Sequence, residues 1–391
     1  MYKIEIKVDN NVKTFVFHGS IDSNVTDEIS AFLTPELHPE DIVIFDMDDV
    51  PYMSSAGLRV ALKTAKTVKE FKIINASSDL YNILDMVGFT QMMKIEKAKR
   101  MLSIEGKELI GEGYMGKVYR LDPDTIIKVF KWGVDLKDVE REITLAKKAF
   151  VLGVPTAIPF DIVKVKEGGY GSVFELLKSN CFNKLFINNP ERTDEYVKMY
   201  VDVVKTITSI EAPDPSAFPR KIDTAYGWVN SLRENKAYDE EILDKLDKLV
   251  HTIPEDNHLI HGDCHIKNIM MQGDEPFLID MDTLGVGHPI FELTAIFLTY
   301  IGYPDKFPGN VEEFLGIPDE LAKRLFNSVI DELYKDRSIE ERKEIVEKCA
   351  LLGYMWLTQK TLFFEPDNKV RLDNAKEKVL SLINKYDTLA F

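Results

Sequence analysis

The stretch that most restricts how this chain can fold is LIHGDCHIKNIMMQGDEPFLIDMD, residues 259–282. Two apolar runs, Ile269-Met270-Met271 and Phe277-Leu278-Ile279, flank Gly273-Asp274-Glu275-Pro276. Short apolar runs on either side of turn residues read as a hairpin. Asn268 and Asp280 stand at its open ends, equidistant from residue 274, so the spacing predicts that they are neighbours in space. An amide oxygen and a carboxylate converging there supply the hard donors that Mg²⁺ prefers, with room for phosphates and water. Asp263, five residues before Asn268, is then placed to accept or orient the proton of a substrate hydroxyl. A zinc site from His261, Cys264 and His265, with His258 nearby, is the competing reading. Its spacing fits no common zinc pattern, and one tight loop would struggle to aim all of them at one ion.

Residues 108–121 read ELIGEGYMGKVYRL, which holds G-x-G-x-x-G-x-V at Gly111, Gly113, Gly116 and Val118. A dinucleotide-binding turn needs a helix straight after the glycines. Here Lys117–Leu121 alternates like a strand, and a second strand, Thr125–Phe130, follows the turn Asp122-Pro123-Asp124. No G-x-x-x-x-G-K-[ST] occurs, which removes the P-loop reading. Lys128 lies inside the apolar run Ile126–Phe130, and a buried ammonium needs an acidic partner. Glu142 is the first candidate, on a helix over about 136–152 that Asp135 could cap, and Glu140 is the second. Residues two apart on a helix point in different directions, so only one of them should face Lys128. Taken alone, a lysine on an exposed strand edge is the lesser alternative for Lys128. Together, a glycine flap, a phosphate lysine, two metal ligands and a carboxylate at the acceptor are the parts a phosphoryl-transfer site requires.

On these residues the chain from 104 to about 391 resembles the kinase-like phosphotransferases of the aminoglycoside phosphotransferase and choline kinase type. Their HGDxxxxN and LIDxD signatures are matched by His261–Asn268 and Leu278–Asp282. The resemblance implies a bilobal protein-kinase-like fold with a mainly helical C-lobe, the N-lobe over about 101–178 and the C-lobe over about 179–391. It implies ATP and Mg²⁺ as cofactors, Asp263 as catalytic acid–base, and Asn268 and Asp280 as metal ligands. By the same likeness Lys128 contacts the phosphates, Glu142 orients Lys128, and Gly111, Gly113, Gly116 and Val118 cover ATP. Phe174-Glu175-Leu176-Leu177 resembles the hinge that receives adenine, with Glu175 and Leu177 as backbone contacts. Asp282 completes a pair of aspartates as a second metal ligand or a structural group. Unlike ordinary protein kinases, the chain has His261-Gly262-Asp263 for HRD and Asp280-Met281-Asp282 for DFG. Gly287-His288-Pro289 and a helix around Phe291–Tyr300 follow almost at once, so no long activation segment fits and a permanently formed site is expected.

Further along, Tyr196, Met199, Tyr200, Val203, Val204 and Ile207 form one apolar helical stripe, read as core. Glu191, Asp194, Glu195, Asp239, Glu240 and Glu241 could line an acceptor cleft that favours cations, as the resemblance implies, although a solvated helical face is the commoner explanation.

The first hundred residues follow another pattern. Their apolar periodicities predict the order ββαβαβα with a last strand at Gln91–Glu96, a small mixed sheet covered by helices. The stretch DIVIFDMDDVPYMSSAGLRVAL, with GSID before it and NILDMVGF after it, resembles a STAS domain, the anti-sigma-factor-antagonist fold, over about residues 1–98. The fold class expected for the chain is therefore α/β plus α+β. In phosphorylated members a serine begins the helix after this strand and matches Ser55, where helix-terminal N–H groups would favour a phosphate. Simple helix capping by Ser54 or Ser55 is the plain alternative. Ser54 also stands where phosphorylated members usually carry Asp.

Composition trims the remaining options. The 49 basic and 65 acidic residues give a net charge of −16, and both sides of residue 98 are acidic. Such a balance argues against nucleic acid or an anionic membrane as the main partner. Three scattered cysteines, Cys181, Cys264 and Cys349, form no CxxC pair, and the opening MYKIEIKVDNN lacks the layout of a secretory signal. The longest apolar stretch, around Leu293–Tyr303, is too short to span a bilayer, so a cytoplasmic setting is expected. The expected function is ATP- and Mg²⁺-dependent transfer of phosphate to a hydroxyl of a small molecule or a protein serine. The STAS-like part would regulate it or dock a protein partner. The alternative is a nucleotide-sensing pseudokinase that acts through that part.

Overall fold

In the computed structural model, residues 2–391 are described apart from Tyr114, Trp132 and Ser179. The chain folds into two compact units, Met1–Leu102 and Ser103–Phe391.

In the first unit, β1 (Lys3–Asp9) and β2 (Val12–His18) form an antiparallel hairpin. β3 (Ile42–Asp49), β4 (Glu70–Ala76) and β5 (Lys94–Lys97) then add in sequence order, each parallel to the one before. Parallel neighbours need crossovers, here carried by α1 (Thr26–Leu33), α2 (Ser55–Thr67) and α3 (Ser78–Met86). Aromatic rings fill the layer between sheet and helices: Phe45 lies 4.8 Å, centroid to centroid, from both Phe17 and Phe71. The cap of α2 is Ser54, whose side chain accepts from the Gly57 N–H at 3.4 Å. Ser55 is the first residue of the helix and is exposed. The predicted last strand starts later than expected, because Phe89–Gln91 forms a 3₁₀ turn after the left-handed Gly88.

The second unit opens with an antiparallel sheet made from β6 (Leu109–Glu112), β7 (Gly116–Arg120), β8 (Thr125–Phe130), β9 (Pro159–Val165) and β10 (Tyr170–Glu175). In space their order is β9-β10-β8-β7-β6. α4 (Leu136–Val151) enters between β8 and β9, and the Asp135 side chain caps it by accepting from the Lys137 N–H at 3.0 Å. Gly116 is fixed by this sheet, since a Cβ there would lie 2.2 Å from the Val129 carbonyl oxygen across the β7–β8 pair. Among the described residues no helix is long and apolar enough to cross a membrane.

A helical lobe follows, with α6 (Thr193–Ser209), α7 (Lys221–Glu234) and α9 (Ile290–Phe297) nearest the site, and α5 (Phe182–Asn188) and α8 (Glu240–His251) among the rest. α10 (Asn310–Leu315), α11 (Asp319–Leu333), α12 (Ile339–Phe364) and α13 (Lys369–Leu382) complete it. The helix expected around Phe291–Tyr300 is α9 running into a π turn at Leu298–Gly302. The predicted stripe on α6 is core: Tyr196, Tyr200, Val203, Val204 and Ile207 are buried and Met199 packs against them. Set into this lobe are the pair β11 (Leu259–Ile260) with β14 (Gly285–Val286), and the hairpin β12 (Ile269–Gln272) with β13 (Glu275–Leu278).

The hairpin corrects one expectation. Its turn is Gly273-Asp274, with Gly273 at φ +64°, and Glu275 and Pro276 already belong to the strand. Ile269 therefore faces Leu278, and the Ile279 N–H donates to the Asn268 carbonyl at 2.9 Å. Asn268 lies opposite Ile279, one residue before Asp280. A two-residue turn centres the hairpin between two residues instead of on one.

Candidate active site

Lys128 is the hub. It lies mid-strand in β8, with Val118 of β7 directly across on one side and Ser172 of β10 on the other. Its ammonium donates to Glu142 Oε1 at 2.8 Å and to Asp280 Oδ1 at 2.7 Å. Glu142 is on the buried face of α4, whereas Glu140 points elsewhere. Burial disfavours the charge on Lys128, but Asp280 and then Glu142 outweigh it and hold the ammonium above its ordinary range. Burial also pushes the Glu142 carboxyl up, with Lys128 pulling against it. The Lys128 ammonium is clamped between the two carboxylates, within 2.8 Å of an oxygen of each.

Asp280 carries this charge on a backbone at φ +66° and ψ +66°, a left-handed conformation that Asp tolerates better than most residues. Two residues on, burial raises the Asp282 carboxyl to about 6, with the Asp280 charge adding to it.

The loop between β11 and β12 is held by groups from four other elements. The buried His261 ring reaches the Ile279 carbonyl through Nε2 at 3.1 Å, and its Nδ1 accepts from the Asp263 N–H at 3.2 Å. The Gly262 N–H donates to Glu292 of α9 at 3.0 Å, and Thr283 Oγ1 donates to the His261 carbonyl at 2.6 Å. Tyr200 of α6 donates to the Cys264 carbonyl at 2.7 Å, and Tyr300 accepts from the Ile266 N–H at 3.1 Å. Lys221 of α7 is half-buried beneath the loop and donates to the Thr283 carbonyl. Burial lowers its pKa to about 8, against the pull of Glu292, Asp282 and Asp263.

This frame presents Asp263 and Asn268 together. Asn268 Nδ2 donates to the Asp263 carbonyl at 3.0 Å and to its carboxylate at 3.1 Å. Asn268 Oδ1 takes no hydrogen bond from the described residues and is left as an oxygen donor. The protein around Asp263 raises its carboxyl to about 6, mainly by burial, with His261 opposing and Asp280 adding. Its side chain is 44 % exposed, so solvent access tempers that rise.

The zinc alternative finds no support in geometry. Cys264 is fully buried, His261 is committed to backbone groups, and among the described residues no three His, Cys, Asp or Glu side chains gather to hold a metal. Two oxygen donors, Asn268 Oδ1 and the Asp280 carboxylate, instead suit a hard cation that keeps its remaining positions for phosphates and water.

The residues expected to face a nucleotide lie on or beside the sheet. A methyl added at Gly113 would meet nothing within 4 Å, so packing does not require glycine there as it does at Gly116. Gly111 opposes Val118 across β6 and β7. At the end of β10 the Glu175 N–H donates to the Ile158 carbonyl at 2.9 Å, and the Leu176 N–H to the Asp124 carbonyl at 2.8 Å. The Leu177 N–H makes no backbone hydrogen bond among the described residues. The six acidic residues weighed for an acceptor cleft are elsewhere. Asp194 pairs with Arg324, Glu195 with Arg192 and Glu240 with Arg233, and none of the six lines the cavity beside Asp263. Ser55 belongs to the first unit.

Sequence reasoning missed Glu292, Lys221, Thr283 and the hydroxyls of Tyr200 and Tyr300. Only Glu292 left a signal, a lone carboxylate in the apolar run IFELTAIF, and it is completely buried.

Comparison with known proteins agrees with both units. The family model for the STAS domain matches residues 3–100, and that for the phosphotransferase enzyme family matches residues 108–324. No curated protein matches the chain in sequence. Among solved structures, the gentamicin complex of APH(2")-IIa is 13% identical with a TM-score of 0.46, covering 81% of this chain and 98% of that one. The ADP-bound APH(2'')-Ib is 13% identical with a TM-score of 0.47, covering 78% and 98%. A ternary complex of a thermostable mutant of APH(4)-Ia with AMP-PNP and hygromycin B is 13% identical with a TM-score of 0.49, covering 72% and 96%. On the sequence match, which takes in more than half its length, this chain belongs to the phosphotransferase enzyme family and carries a STAS domain ahead of the phosphotransferase domain.

Proposed function

We propose that the second unit transfers the γ-phosphate of ATP to a hydroxyl acceptor with the help of Mg²⁺. The observation that carries this reading is the chain of contacts Glu142–Lys128–Asp280, beside the Asn268–Asp263 pair. Lys128 has the position and the charge to hold phosphate oxygens, and Glu142 keeps it from swinging away. Asn268 and Asp280 would hold Mg²⁺, which when bound neutralises charge on the phosphates. Asp263 takes the acceptor hydroxyl proton as the acceptor oxygen bonds to the γ-phosphorus and the bond from that phosphorus to the bridging oxygen of ADP breaks. A carboxyl raised toward neutrality is suited to take that proton and later release it. The glycine loop would cover the phosphates, Gly113 allowing close backbone approach. The Glu175 carbonyl and Leu177 N–H would meet the adenine.

The STAS domain is proposed as a regulatory or docking module, with Ser55, exposed at the start of α2, as its phosphorylation site. ATP binding tests the catalytic reading. Calorimetry on the full chain should show ATP binding that tightens with Mg²⁺, with the Mg²⁺ effect lost in Asp280→Asn and overall affinity reduced in Lys128→Met. ATP affinity that ignores both Mg²⁺ and these substitutions would refute the assignment.

A further inference from the structure

A cavity of about 610 Å³ opens beside Asp263 and His265, walled on another side by Trp356, Lys360 and Arg371. Its charged groups are engaged very differently. Arg371 donates to both oxygens of Glu365, at 2.6 and 2.5 Å, so that pair is internally neutral. Burial holds the His265 imidazole down at about 4, which leaves it uncharged at neutral pH. Glu313 is exposed at the lining.

Lys360 stands apart. Among the described residues no carboxylate lies within 4.0 Å of its ammonium, which rests over the Trp356 ring, 4.8 Å from the centroid, and 5.7 Å from that of Tyr303. Trp356 is itself stacked on Trp228 at 4.7 Å with the planes 11° apart, so the platform beneath the ammonium is fixed. A half-buried cation with no protein anion, held on aromatic rings in the cavity that contains Asp263, is one half of an ion pair. The lining holds three carboxylates, Asp263, Glu313 and Glu365, of which Glu365 is engaged by Arg371, and the six acidic residues weighed from the sequence lie outside it.

We infer that the acceptor is a small hydroxylated molecule that carries an anionic group, a carboxylate or a phosphate monoester, which pairs with Lys360 while its hydroxyl meets Asp263. The inference rests on the phosphotransferase reading for the role of Asp263, and the test separates the two. Binding of gluconate, glucose 6-phosphate, glucose and gentamicin is measured by calorimetry on the full chain saturated with ADP and Mg²⁺.

At least one anionic probe should bind about tenfold or more tightly than glucose, the range of a charge-assisted contact, and the stronger of the two names the anion. Lys360→Gln should erase that preference, and Lys360→Arg should keep most of it. Equal or tighter binding of glucose or gentamicin, no binding of either anionic probe, or a preference unchanged in Lys360→Gln would each overturn the inference. ADP release from ATP is read separately on the same protein. Anion-selective binding without turnover would count against the phosphotransferase reading and leave only the anion site at Lys360 standing.

Discussion

Replacing Lys128 with Met should make the stability of the second unit fall more steeply with rising pH than it does in the wild type, where Lys128 opposes the rise of the buried Glu142 carboxyl. The substitution strands two carboxylates unequally. Asp280 is 39 % exposed and can rehydrate, whereas the Glu142 side chain is 5 % exposed and cannot. A buried charge left without its partner costs about 3–5 kcal/mol. Glu142 can escape by taking a proton, and each pH unit above its unfolded pKa then costs about 1.4 kcal/mol. The folded pKa of Glu142, freed of Lys128, is raised above the unfolded value. Stability is therefore intact below the unfolded value and is lost as pH rises toward the folded one. The gap between variant and wild type should be under about 1 kcal/mol near pH 5 and reach roughly 3–4 kcal/mol by about pH 8. In thermal unfolding followed by circular dichroism without nucleotide, that is a growth of the melting-temperature gap on the order of 5–10 °C. Adding Glu142→Met should return most of the loss, since the buried charge is gone. A gap that is constant with pH, or one that Glu142→Met widens, would refute the reasoning.

Four other outcomes follow from the structure. Asp280→Asn should keep the fold and lose Mg²⁺ dependence, while Asp280→Ala should cost about 1 kcal/mol more in chemical denaturation, because Ala resists the left-handed backbone that Asn accepts. Gly116→Ala should destabilise the sheet by about 1–3 kcal/mol, since its methyl meets the Val129 carbonyl. Gly113→Ala should leave melting nearly unchanged and weaken ATP binding. In the STAS domain Ser54→Ala should cost about 1 kcal/mol as a lost cap and Ser55→Ala much less, a difference that denaturant titration of the first unit reads directly.

The parts of the site that sequence spacing made legible are those whose partners are side chains of fixed chemistry. A lysine inside an apolar strand announces that it needs an acid, and the helical period decides between Glu140 and Glu142. Asn268 and Asp280 were legible because a hairpin ties sequence distance to spatial distance. The one-residue register error came from Pro276, which looked like a turn residue but pairs with Met271 within β13. Lys221 and Thr283 were not legible, because they bind backbone carbonyls, which every residue offers. The two tyrosine hydroxyls on the loop were hidden for a related reason. Each ring supplies an apolar stripe, and only the fold reveals where its polar end goes. The acidic runs fit the solvated faces that are their commoner explanation, whereas Lys360, one of four cations in α12, stood in the cavity without a sequence signal.

The central claim is that Asp263 and Asp280 make this unit a working phosphotransferase. The most direct measurement is ADP formation from ATP with Mg²⁺ by the full chain, compared with Asp263→Asn and Asp280→Asn. Nucleotide binding is measured in parallel. Wild type should turn ATP over, Asp263→Asn should bind nucleotide normally yet lose about a hundredfold or more in rate, and Asp280→Asn should lose both rate and Mg²⁺ response. Equal rates in all three proteins, or no turnover in any despite tight ATP binding, would contradict it and leave a nucleotide-binding regulator in its place.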